Sequence, residues 1–169
     1  PLILLAMVIM QATFGAWTVT LKLWPKIVTI HLLGGFTTLT LLWLLTQRLG
    51  GNRWLLSHGQ ILTLHTIKPW LLLGLIAVIG QIALGGWVST NYAVLACSDF
   101  PTCQGSWWPV MDCSHGVTLW RELGMTHVGD GLPFAALTAI HYVHRLSAYV
   151  VLAAMCWLAW LLWQTLATR

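Results

Sequence analysis

An all-α integral membrane protein is the fold class this sequence predicts, on three observations. Of its 169 residues, 58% are hydrophobic and only 7% charged, where soluble domains carry about 25% charged residues. Four apolar stretches, 1–20, 27–46, 70–88 and 135–163, have the length of roughly 20 residues that crosses a bilayer. All eight Lys and Arg residues except Arg145 fall between or beyond those stretches. The net charge of +4 is scattered rather than clustered, so it is no signature of nucleic-acid binding.

The first stretch carries Gln11-Ala-Thr-Phe-Gly15-Ala-Trp17-Thr-Val-Thr20, and the third carries Gln81-Ile-Ala-Leu-Gly85-Gly-Trp87-Val-Ser-Thr90. Gln, Gly, Trp and Thr recur at the same offsets, which is either a weak repeat or chance likeness between two apolar helices. Gly15, Ala16, Gly85 and Gly86 suit close helix approach. Trp17 and Trp87 suit the outer membrane interface. The second stretch, entered after Lys22, Trp24 and Pro25, holds His31 near one end, followed by Gly34 and Gly35. Those glycines are expected to leave room beside His31 for a flat ring.

The segment 47–69 holds Arg48, Arg53 and Lys68 and no acid, whereas 89–136 holds Asp99, Asp112, Glu122 and Asp130 against Arg121. Positive loops stay inside. The rule makes 47–69 cytoplasmic and 89–136 outer or periplasmic, with Arg169 inside. Lys22 and Lys26 then violate it mildly, in a short outer turn. In 47–69, Gln47 to Arg53 reads as a helix end and turn, and 54–67 as a segment lying along the membrane surface. His58 and His65 there read as solvated or interfacial.

The long outer loop reads as functional rather than as a linker. Cys97 and Cys103 lie where a disulfide is permitted. The bridge would close Cys-Ser-Asp-Phe-Pro-Thr-Cys and restrict the unfolded chain by ~2–3 kcal/mol. Free thiols or a metal pair are the other readings; no second pair at finger-like spacing supports the metal. Cys113 is the odd cysteine of the loop. Cys156 reads as a small core residue. The aromatic run Gln104 to Pro109 suits an interface or a cover over a pocket. Thr118 to Gly124 reads as one or two helical turns, and His115 and His127 as solvent-facing.

The last stretch opens on His141-Tyr-Val-His144-Arg145. Ionisable residues within a span are costly and mark function by default. His141 and His144 share a helix face at i, i+3. His31 and His144 lie at matched depth near the outer side. A haem accounts for them: imidazole takes iron, and Arg145 can take a propionate. A histidine bonded to a neighbouring helix is the plainer reading. Spacing alone does not choose between His141 and His144.

Three stretches now carry a resemblance: 86–92, Ala96 to Pro109, and Ile140-His-Tyr-Val-His-Arg-Leu146. Together with 15–22 and His31-Leu-Leu-Gly-Gly35 they resemble the haem A synthase family of cytochrome oxidase assembly. The resemblance implies eight transmembrane helices in two pseudo-symmetric four-helix halves, of which this chain would cover helices three to six. It implies oxidation of the C8 methyl of haem O to a formyl group, with water as oxygen source and a bound haem b handling electrons. His31 would be one axial ligand of the haem O site. His144, followed by Arg145, would be one ligand of the haem b site, and Cys97–Cys103 a disulfide. Haem O synthase and other oxidase assembly proteins would be partners, in a multi-pass bacterial inner-membrane protein; a homo-oligomer stays open.

The sequence departs from the family pattern. Its Glu-x-x-His is missing, since the one glutamate is Glu122 in the outer loop, and so is the histidine of the eighth helix. The catalytic glutamate is expected outside 1–169, each haem site would hold one ligand of two, and this stretch alone would be inactive. The opening residues show no basic leader and no A-x-A site, so the sequence reads as an internal piece of a longer membrane protein. A self-contained four-helix protein is the other reading, in which His31 and His144 would pair across one haem. Two further functions stay open: a b-type haem electron-transfer subunit and a haem-free oxidase assembly factor. A transporter is disfavoured, because no acidic relay lies in a span.

Overall fold

Four long helices form an open row in a computed structural model that describes residues 2–51, 56–126 and 128–167. They are α1 (Leu2–Thr20), α2 (Pro25–Leu49), α3 (His58–Thr90) and α5 (Phe134–Ala167). All four are long and apolar enough to cross a membrane. A 3-10 turn, Ala93–Ala96, and the short α4, Cys113–Gly116, lie between α3 and α5. No strand is formed among the described residues.

Local chemistry sets the helix ends. Lys22 and Leu23 take left-handed backbone (φ 51° and 59°), and Leu23 N–H closes onto Thr18 O at 2.9 Å. Trp24 is extended, as the residue before a proline prefers, and Pro25 starts α2 where its missing N–H costs nothing. α2 ends at Gly50, followed by Gly51 at φ 67°. Ser57 caps α3 with a reciprocal box: Gln60 N–H donates to Ser57 Oγ, and Ser57 N–H to Gln60 Oε1.

That box corrects the expected extent of the third element. Residues 58–69, read as part of a loop, are helical and run through Pro69 into the span. His58 and His65 are exposed on these first turns. Arg53, Trp54 and the rest of 52–55 lie outside the described residues, as do His127 and Arg169.

α1 packs on α2, α2 on α3, and α3 on α5; no other pair of long helices touches among the described residues. Small residues make the crossings. A Cβ on Gly86 would stand 3.0 Å from Leu32 Cδ2 on α2, and one on Gly74 would stand 2.5 Å from Leu158 Cδ1 on α5. In lipid, such close approach replaces the hydrophobic drive as the source of helix association. Because each helix meets neighbours on few sides, α1 has no buried residue.

Burial among the described residues is greatest where the end of α3 meets the start of α5, beneath the segment that links them. Trp87, Val88, Ala93 and Ile140 form one cluster, and Cys97, Cys103 and Tyr142 another. Trp87 was expected at the interface; instead it is 9% exposed, and its Nε1–H donates to Gly116 O at 2.9 Å. Trp17 is 44% exposed. The helical turns expected at 118–124 are absent; a single turn forms at 123–124. Arg121 Nε–H takes Thr118 O at 3.1 Å, an acceptor a helix would need for itself. Its remaining groups reach Met125 O and Asn91 Oδ1, and burial lowers its pKa. Cys156, read as core, is exposed, because α5 meets α3 through the face that carries Leu158 and Trp157.

Candidate functional site

Two histidines are seated in the same way by two helix pairs. In the first, Gln11 on α1 donates its side-chain amide to the His31 carbonyl of α2 at 2.9 Å. One turn further along α1, Gly15 faces the ring: a Cβ there would stand 3.3 Å from His31 Cε1. In the second, Gln81 on α3 donates to the His144 carbonyl of α5 at 3.2 Å. One turn further, a Cβ on Gly85 would stand 3.2 Å from His144 Cε1. The repeat Gln-x-x-x-Gly is therefore a repeated seat for an imidazole.

The two seats lie at one level. Gly85 faces His144, and its neighbour Gly86 faces Thr29 and Leu32, which flank His31 in α2. The rings rest against different helices, Gly15 of α1 and Gly85 of α3.

The seats differ in detail. Neither Nε2 has a hydrogen-bond partner among the described residues. His31 Nδ1 is buried and also unpartnered. Beside it runs a groove of about 340 Å³ lined by Gln11, His31, Leu32, Gly35, Phe36 and Leu39. The space expected beside Gly34 is taken by Gln11, whose Oε1 would stand 2.5 Å from a Cβ there. His144 Nδ1, in contrast, meets Gln81 Nε2 at 3.0 Å. Ser147 Oγ–H holds the other end of that amide through Gln81 Oε1, at 2.5 Å.

His141 and Arg145, on α5, are tied to the segment between α3 and α5. His141 Nδ1 meets Ala93 O at 3.1 Å, and its Nε2 meets Arg145 at 3.4 Å, so both ring nitrogens are engaged. Arg145 Nη1 donates to Thr102 O at 2.6 Å and Asp99 O at 2.9 Å, with Pro101 O and Cys97 O each at 3.5 Å from the guanidinium. Those carbonyls belong to the loop closed by the Cys97–Cys103 disulfide, which is formed. Within that loop the Asp99 carboxylate accepts from Thr102 Oγ1–H and from the amides of Gly105 and Gln104. These bonds lower its pKa to about 2, with Thr102 the largest cause. Tyr142 O–H donates to Trp107 O at 2.5 Å, while the Trp107 and Trp108 rings stay exposed.

His115, expected to face solvent, is half-buried and paired with Asp112 at 2.6 Å. The Asp112 pKa falls to about 2, mainly through Ser114 and then His115. Cys113 is exposed and outside the disulfide.

Whether imidazole iron ligands fit can be judged from these contacts. Two Nε2 atoms without partners, set at one level in apolar helix pairs, and a buried orphan Nδ1 beside a groove form a donor set that suits haem iron. In the sequence Gln11 and Gln81 show only as part of a repeat, and Ser147 does not stand out. An amide within an apolar span, which cannot satisfy itself on its own helix, was the available signal.

The chain matches the cytochrome oxidase assembly protein family, COX15-CtaA, over residues 1–169. It belongs to that family. Among curated relatives of the family, a haem A synthase from Shewanella oneidensis is 36% identical over 160 residues. That match takes in 95% of this chain and 48% of the relative, so the chain spans about half the length of the protein it matches. No solved structure matches it.

Proposed function

We propose that this chain supplies two axial ligands, His31 and His144, to the haem sites of a membrane protein of haem A biosynthesis. The observation that carries the reading is the pair of matched seats, each leaving an imidazole Nε2 without a partner among the described residues. His31 would serve the haem O substrate site and His144 the haem b site, within a protein of eight helices in two similar halves. When bound, the porphyrins supply the redox chemistry that takes the C8 methyl of haem O to a formyl group. The chain's own residues hold the rings, exclude water with apolar helix faces, and set imidazole orientation from the neighbouring helix.

Each seat offers one imidazole, and no carboxylate lies in a span among the described residues. The second axial ligands and the catalytic acid–base group are therefore assigned to residues outside 1–169, and this stretch alone is inactive. His141 is assigned to the outer segment rather than to iron, because both its nitrogens are engaged. The segment 89–136 is placed on the periplasmic side and 47–69 in the cytoplasm, following the positive-inside rule. Haem O synthase and other oxidase assembly proteins are its proposed partners.

The test uses the full-length protein, purified and reduced. His31→Ala and His144→Ala are each expected to lose one haem signal and to stop haem A accumulation, scored by chromatography of extracted haems. Full haem content in both variants would overturn the reading. Reversible b-type haem with no haem A product would identify an electron-transfer subunit instead.

A further inference from the structure

The two seats are alike in their main-chain contact and unlike at the ring, and this difference assigns Gln81 a task. Gln11 hydrogen-bonds the His31 carbonyl and not its ring. Gln81 reaches the His144 carbonyl and also its ring Nδ1, and Ser147 fixes the far end of the amide. Ser147 is itself placed by donating to His144 O at 2.9 Å. Three polar side chains thus form a closed set within two helix turns, in a span where unsatisfied polar groups are costly.

We infer that Gln81, locked by Ser147, is a positioning residue that tunes His144 as an iron ligand, whereas Gln11 only fixes the backbone of His31. The inference rests on the haem reading above. The chemistry follows from the imidazole. A metal on Nε2 leaves the ring proton on Nδ1, where it faces Gln81. An amide turned over accepts that proton on Oε1 and gives up its bond to the His144 carbonyl, while its N–H donates to Ser147 Oγ, which keeps its own O–H on His144 O. An acceptor on Nδ1–H fixes the ring and makes the imidazole a stronger donor to iron, which favours the oxidised metal. His31, with its Nδ1 unpartnered, lacks this device. The two irons are therefore ligated by imidazoles of unequal basicity.

The test is a redox titration of the full-length, haem-loaded protein with optical and electron paramagnetic resonance readout. Gln81→Leu is expected to raise the midpoint potential of the haem that His144→Ala removes, shift its low-spin signal, and weaken haem retention about 10–100-fold. Ser147→Ala, a smaller change, is expected to move the same potential in the same direction and covers the case in which Gln81→Leu does not fold. Gln11→Leu, in the other seat, is expected to leave that potential unchanged. Unchanged potentials in Gln81→Leu and Ser147→Ala, or an equal shift from Gln11→Leu, would overturn the inference. The haem reading fails separately, if His144→Ala keeps its full haem complement.

Discussion

Arg145→Ala separates two tasks for one cation. The sequence alone placed Arg145 against a haem propionate; the structure puts its terminal nitrogens on the disulfide loop. Two of the contacts are short, 2.6 Å to Thr102 O and 2.9 Å to Asp99 O. A hydrogen bond from a charged donor contributes about 1.5–3 kcal/mol. Two such bonds at a half-buried side chain, discounted for competing water, leave about 2 kcal/mol of loop stability. That is about a 30-fold shift in the equilibrium between closed and open loop. The readout is amide hydrogen exchange at Cys103, Gln104, Gly105 and Ser106, whose N–H groups are all bonded within the loop. Arg145→Ala is expected to speed that exchange about 30-fold while haem content stays near normal. Arg145→Lys, a point charge without the guanidinium fork, should fall between. Unaltered exchange with loss of haem would refute the clamp and return Arg145 to a propionate.

Three further outcomes follow from the contacts. Gly74→Ala puts a Cβ 2.5 Å from Leu158 Cδ1, so it should lower the thermal midpoint by an overpacking cost of about 1–3 kcal/mol, and Leu158→Ala in the same chain should recover part of it. The folded-state pKa of Asp99, about 2, lies below its ordinary value of 3.8. Its contribution to loop protection is therefore full above about pH 4 and lost as pH falls toward 2; Asp99→Asn should remove that pH dependence from the exchange rates. A membrane-impermeant maleimide added to intact spheroplasts should label Cys113 but not the lipid-level Cys156, with Cys97 and Cys103 reacting only after reduction. Labelling of Cys113 only from the cytoplasmic face would reverse the proposed topology.

The four helices were legible because lipid leaves the backbone few choices. A run of about 20 apolar residues must satisfy its own N–H and C=O groups, and a helix does so. The disulfide was legible because only five residues separate its cysteines, in a loop rich in turn formers. What the sequence hid were the helix bounds set by contacts rather than by hydropathy. Gln60 and Ser57 start α3 about 12 residues before its apolar run. Arg121 takes the carbonyl that a helix at 118–124 would need. Hydropathy likewise put Trp87 at the interface because it counts an indole as an interfacial group; it cannot see the Gly116 carbonyl that lets the ring be buried.

The repeat, too, is visible in the sequence while its partners are not. Threonines in the spans, such as Thr13, Thr29 and Thr38, bond to a carbonyl four residues back on their own helix. They therefore say nothing about neighbours. A glutamine amide in a span has to reach across to another helix, and at the level of the two histidines the side-chain hydrogen bonds between spans all run through Gln11 or Gln81. A polar residue that cannot be satisfied locally reports tertiary structure, and its partner is the residue worth testing. Here both partners are histidines, and each is faced by a glycine one turn beyond the glutamine. The four identities in ten between the first and third helices are thus accounted for at the Gln and Gly positions by contact with an imidazole. At Trp17 and Trp87 the two copies differ, one exposed and one buried, because Trp87 is held by Gly116 of the segment between α3 and α5.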